Sequence, residues 1–124
     1  MKVTYSKSEK LKSKKQIDQL FSEGKAIGEF PLRLVYMPAS FKDDELIKTG
    51  VSVGKQHFKK AVDRNKIKRL LREAYRLNKP LYFNNITTQY ALMILYIGKE
   101  IPSFNELNNT MKTLLKTFSK VASE

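Results

Sequence analysis

Residues 59–76 read KKAVDRNKIKRLLREAYR, in which eight of eighteen residues are Lys or Arg and only Asp63 and Glu73 oppose them. The chemistry open to such a stretch is non-covalent capture of a polyanion. An arginine guanidinium meets phosphate oxygens with a planar two-pronged fork and stacks on bases. Asn65 adds a neutral donor and acceptor for a base edge, a ribose hydroxyl or a neighbouring loop. Groups for covalent or metal chemistry are scarce. The chain has no cysteine and a single histidine, His57, which excludes thiolate nucleophiles and multi-histidine metal sites. Asp43, Asp44 and Glu45 read as a solvated connecting loop in preference to a hard-cation site. The glycines are isolated, so no glycine-rich phosphate loop exists. By residue chemistry this is a binding protein with no catalytic residues of its own.

The composition points the same way. With 24 Lys and Arg against 12 Asp and Glu, the net charge is +12, a self-repulsion that a polyanionic partner relieves. Nucleic acid is the first such partner to consider and an anionic membrane the second. The 124 residues suit one domain over residues 1–124, with residues 1–10 expected to be flexible. The first residues, MKVTYSKSEKLKSKK, lack the apolar core of a secretory signal, and the longest apolar run, residues 90–97, is too short to span a bilayer. The expectation is a cytoplasmic protein without a membrane partner.

Several elements must position the basic stretch. Ser13 and Gln16 form a capping-box pattern ahead of a helix that sets Ile17, Leu20 and Phe21 on one face and ends at Gly24. PLRLVYM (31–37) alternates, with Leu32, Leu34 and Tyr36 on one side and Arg33, Val35 and Met37 on the other. LIKTGVSV (46–53) alternates likewise, so these two strands are expected to pair as an antiparallel hairpin. The basic helix is predicted to run to Asn78, just before Pro80. YALMILYI (90–97) is continuously apolar, as a strand covered on both faces requires. Ser103 and Glu106 open a last helix with Leu107, Met111, Leu114, Leu115, Phe118 and Val121 at helical spacing. This order gives an α+β fold, a two-layer sandwich of helices on one sheet.

At about 100° per residue, Ile67, Leu70, Leu71 and Ala74 gather on the face of the basic helix that packs on the sheet. Arg64, Lys68, Arg72 and Arg76 follow at four-residue spacing on the neighbouring face, with Asn65 and Arg69 in the same arc and Lys66 at its edge. Arg64 to Arg72 spans roughly 12 Å, a match to a few successive phosphates. An ordinary solvated face stays open as a reading, because Glu73 can pair with Arg69 or Arg76. A membrane-surface helix fits less well, since the apolar arc lacks Trp and Phe and the core needs it. Phe21 and Tyr36 could face each other as a stacking platform for single-stranded bases, or could be plain core.

VSVGKQHFKKAVDRNKIKRLLREAYR (51–76) closely resembles the signature of the bacterial ribonuclease P protein family. Arg64, Asn65, Lys68, Arg69, Arg72 and Glu73 match its Arg-Asn-x-x-Lys-Arg-x-x-Arg-Glu pattern position for position. The Leu11…Phe21-x-x-Gly24 segment, the LVY strand and the C-terminal strand and helix are also similar, so the likeness spans nearly the whole chain. The resemblance implies an αβββαβα-like order with one mainly antiparallel sheet and a left-handed βαβ crossover, against the usual hand. It implies the protein subunit of an endoribonuclease that removes the 5′ leader from precursor tRNA, with the chemistry carried by a large RNA subunit and its Mg²⁺. Arg64, Asn65, Lys66, Lys68, Arg69 and Arg72 would contact that RNA, with Lys59, Lys60 and Arg76 as additional phosphate contacts. Phe21, Tyr36, Lys55 and Ile17 would line a cleft for the leader, between the sheet and the first helix. No obligate protein partner is implied. Two positions depart from the pattern: Ile17, where an aromatic residue is common, and Gln56, where a second Lys is common. The alternative is a ribosomal or other RNA-binding scaffold with no enzymatic association.

Overall fold

The computed structural model describes residues 5–123. A short 3₁₀ turn, Lys7–Glu9, precedes α1 (Lys14–Glu23), β1 (Lys25–Glu29), β2 (Leu32–Pro38), β3 (Ile47–Val53), α2 (Ala61–Tyr82), β4 (Tyr90–Tyr96) and α3 (Phe104–Ala122). The order is αβββαβα around one four-stranded sheet.

The strands lie in the order β1-β2-β4-β3. β4 pairs antiparallel with β2, Leu34 opposite Ile94, and parallel with β3, Val51 opposite Ile94. The expected hairpin between β2 and β3 is therefore corrected: β4 sits between them, and β3–α2–β4 is a parallel crossover. The physical reason is burial. β4 is the most continuously apolar strand and takes one of the two inner positions, where both its edges and both its faces are covered. β1, which alternation does not single out, pairs antiparallel with β2 at the sheet edge and turns only Ile27 toward the core.

α2 and α3 cover one face. Ile67, Leu71, Ala74 and Tyr75 of α2 meet Leu107, Met111, Leu114, Leu115 and Phe118 of α3 over Leu34, Leu92 and Ile94. Val121 departs from the expected stripe and is exposed, while Ala122 next to it packs against the core. α1 covers part of the opposite face, where Leu11 and Leu20 pack with Val35, Met37, Ala91 and Met93. The expected two-layer sandwich thus describes the α2–α3 side, and α1 adds a smaller third layer.

Local chemistry sets the helix ends. The Ser13 hydroxyl accepts from the Gln16 N–H at 3.3 Å, and the Ser103 hydroxyl accepts from the Glu106 N–H at 3.2 Å. Gly24 ends α1 where a Cβ would lie 2.8 Å from a Val35 methyl and closer still to the Leu20 carbonyl, so only glycine lets the helix end touch β2. α2 does not stop at Asn78. It continues through Pro80 to Tyr82, giving up one hydrogen bond but held by the Phe83 N–H donating to the Lys79 carbonyl at 3.0 Å and by burial of Lys79 and Phe83.

Residues 1–4 of the stretch expected to be flexible lie outside the described residues. Residues 5–10 are instead tied to the fold. Tyr5 packs edge-on against Tyr75, ring centroids 5.3 Å apart, and Lys10 bridges to Thr49 on the free edge of β3. Glu9 forms a buried ion pair with Lys79, and its carboxylate also accepts from the Ser6 N–H at 2.6 Å. Among the described residues no helix is long and apolar enough to cross a membrane.

Candidate nucleic-acid interface

α2 divides its surface sharply. Ile67, Leu71, Ala74, Tyr75 and Asn78 are buried, while Asn65, Lys66, Arg69 and Arg72 are exposed and Lys68 is half-buried beside them. Five of the six residues assigned to RNA-subunit contact thus stand together on the solvent side of one rigid helix. The sixth, Arg64, is also engaged inside the protein. One nitrogen of its guanidinium donates to the Phe58 and Lys59 carbonyls at 2.7 and 2.8 Å, pinning the loop that brings Lys59 and Lys60 to the helix start.

Arg76 has a different setting. It donates to Glu73, with one contact at 3.2 Å, and forms an ion pair with it. That hydrogen bond holds the Glu73 carboxyl below its usual range, with the Arg76 charge adding to the effect. The paired-helix reading therefore describes the C-terminal end of the stripe, and the cations that face solvent lie one and more turns earlier.

The leader cleft is not assembled as expected from Phe21 and Tyr36. Tyr36 points to the α2–α3 side, 8 % exposed, with its ring 5.4 Å from that of Phe118. The pleat explains the correction: Val35 and Met37, not Tyr36, face α1. Phe21 is 51 % exposed on α1, and Ile17 is half-buried against the small core beneath that helix. Lys55 and His57 are exposed beyond the end of β3.

What α1 and the sheet do form is a lysine-lined groove of about 840 Å³, walled by Lys15, Gln16 and Gln19 on one side and by Met37 to Lys42 and Lys48 on the other. A shallower extension brings in Lys7, Lys10 and Lys12. The Gln89 side chain fixes the groove's outer loop, accepting from the Phe41 N–H at 3.1 Å and donating to the Glu45 carbonyl at 2.9 Å. Asp43 in that loop pairs with Lys48 at 2.8 Å, a hydrogen bond that lowers its pKa.

The Ribonuclease P family model matches residues 5–119 of this chain. The chain belongs to the ribonuclease P protein family. It is 40 % identical over 123 residues to the ribonuclease P protein component of Porphyromonas gingivalis, covering 95 % of this chain and 89 % of that one. The Dictyoglomus turgidum component is 34 % identical over 116 residues, covering 94 % and 91 %. Among solved structures, the RNase P protein of Thermotoga maritima has a TM-score of 0.70 at 24 % identity, covering 88 % of this chain and 96 % of that one. The Staphylococcus aureus protein gives 0.69 at 19 %, covering 90 % and 96 %, and both share the fold.

For a ribonuclease P protein, the motif residues Asn65, Arg69 and Arg72 fall on the face of α2 that the fold leaves exposed. The lysines around the groove were not singled out from the sequence. Their signal was the run KLKSKK at residues 10–15, which overlaps the Ser13 cap and so sets lysines around a helix N-terminus whose first turn has no acidic residue.

Proposed function

We propose that the chain serves as the protein subunit of a ribonuclease P ribonucleoprotein, which removes the 5′ leader from precursor tRNA. The observation that carries this reading is the exposed row Asn65, Lys66, Arg69 and Arg72 on a helix anchored by its opposite face, in a member of this family. A rigid cationic row loses little conformational entropy on docking and releases counterions from the RNA it neutralises. The catalytic RNA subunit binds there. The single-stranded leader runs along the α1 side, its phosphates on the groove lysines and its bases within reach of Phe21 and Phe41.

Cleavage belongs to the RNA and to Mg²⁺ held mainly by RNA. Three of the twelve acids are already engaged by cations: Glu9 with Lys79, Asp43 with Lys48 and Glu73 with Arg76. The assembly works in the cytoplasm, where precursor tRNA is met, and needs no membrane and no obligate protein partner.

Reconstitution tests this. Cognate RNA subunit is assayed for precursor-tRNA cleavage at low Mg²⁺ with and without the protein. The protein is expected to restore cleavage, with an effect that falls steeply as monovalent salt rises. No rescue of an RNA subunit that is active at high Mg²⁺ sinks the proposal, and cleavage by RNA-free protein moves the chemistry to the chain.

A further inference from the structure

The end of the sheet where β2 begins and β3 and β4 finish carries an apolar patch that the core does not use. Leu32, Tyr96 and Val53 form the last paired row. Just beyond it, Phe30 is 74 % exposed and Ile97 is 45 % exposed. The two belong to one surface, because the Ile97 N–H donates to the carbonyl of Pro31 at 2.8 Å. On the far strand the same end runs into Lys55. With strands about 4.8 Å apart, Phe30 and Lys55 leave the sheet roughly 10 Å from each other.

The patch is joined to the start of the basic helix through the buried residues beneath it. The Phe58 ring lies 6.0 Å from that of Tyr96, and Arg64 grips the carbonyls of Phe58 and Lys59. Charge complementarity selects the occupant. Lys55, Lys59, Lys60 and Lys99 outnumber Glu29 and Glu100 at this end, and a second copy of a chain of charge +12 would be repelled. A polyanion that also offers a flat apolar face fits: an unpaired nucleotide.

We propose that Phe30, with Ile97 beside it, stacks an unpaired base of the RNA subunit whose flanking phosphates lie against Lys55 and Lys99. This rests on the reading that α2 docks on that RNA. The leader is not the occupant, because its groove lies at the other end of α1's face of the sheet.

Wild-type protein, Phe30→Ala, Phe30→Leu and Phe30→Trp are each titrated into ribonuclease P RNA transcribed in vitro, alongside thermal unfolding. Phe30 is mostly exposed, so the unfolding midpoint is expected to hold. Affinity is expected to fall about 5- to 30-fold for Ala and for Leu, and to survive in Trp, which keeps a π face. A Lys55→Ala, Lys99→Ala double variant supplies a second arm, flattening the slope of log affinity against log salt by about 1.4–1.8. Should wild type fail to bind the RNA, the reading of α2 falls. Should wild type bind and Phe30→Ala match it, only the present inference falls. Leucine equal to wild type, a defect confined to self-association, or one confined to holoenzyme binding of precursor would each overturn it too.

Discussion

The ring of Tyr36 meets the ring of Phe118 edge to face, centroids 5.4 Å apart, on the side of the sheet turned away from α1. The contact makes Tyr36 part of the α3 docking surface, so its truncation opens a cavity between layers. Tyr36→Ala is expected to cost about 3–5 kcal/mol of stability, while Tyr36→Phe, which keeps the ring, changes it little. Denaturant unfolding measures this. Per folded molecule, the affinity of the holoenzyme for precursor tRNA should stay unchanged. A selective loss of precursor affinity in a fully stable Tyr36→Ala would contradict the buried assignment.

Arg69 and Arg64 carry adjacent charges with different internal duties. Arg69→Ala is expected to weaken binding to the RNA subunit by about 1.5–3 kcal/mol and leave the unfolding free energy in place. Arg64→Ala should weaken binding and also lower stability by about 1–2 kcal/mol, because the Phe58 and Lys59 carbonyls lose their donor. Comparing RNA titrations with urea unfolding for the two variants checks the split.

The Glu9–Lys79 ion pair is buried and joins the N-terminal turn to the last turns of α2. Replacing Lys79 by Met removes the cation from a carboxylate that has left water, at an expected cost of about 3–5 kcal/mol. Glu9→Leu combined with Lys79→Met should recover much of that loss, since two apolar groups need no compensation. A double-mutant cycle on the unfolding free energies reads the coupling directly.

Burial pushes the Tyr5 phenol up to about 12, with the nearby Arg72 charge working against the shift, and burial drives Tyr75 up as well. A phenol whose folded pKa exceeds its unfolded value of 10.0 adds full stability below pH 10. The contribution is lost as pH rises from 10 toward about 12, because only the unfolded chain can ionise there. Unfolding free energies across that window should fall steadily. Tyr5→Phe should make the fall shallower, which spectroscopic pH titration beside denaturant melts will show.

Features governed by near neighbours were legible in the sequence. Ser13 and Ser103 mark helix starts because a cap is made within three residues. The α2 stripe was legible because helical spacing alone sorts Ile67 and Leu71 from Arg69 and Arg72. Partners distant along the chain were not. Alternation put Tyr36 opposite Val35 across the β2 pleat but held no information on which side α1 would choose. The β2–β3 hairpin was the default for consecutive strands, and the stronger apolar claim of β4 displaced it. β1 was implied by the family resemblance alone, because Ala26 and Gly28 give alternation nothing to register. The buried roles of Lys79 and Asn78 depend on such distant partners: one pairs with Glu9 and the other donates to Asn108 at 2.6 Å.

The inner place of β4 has a temporal meaning. During synthesis β1 and β2 can pair as soon as both have emerged, but β3 finds its sheet neighbour only after α2 and β4 are made. For that interval the ribosome holds a chain with a finished hairpin, an unsatisfied strand and a free basic helix. Non-local pairing of this kind slows folding and leaves exposed edges open to wrong partners. Emergence of residues 90–96 is therefore the step that commits the molecule, and a transcript cut short before Tyr90 would yield a product with an intact cationic motif and only the β1–β2 hairpin in place of the four-stranded sheet.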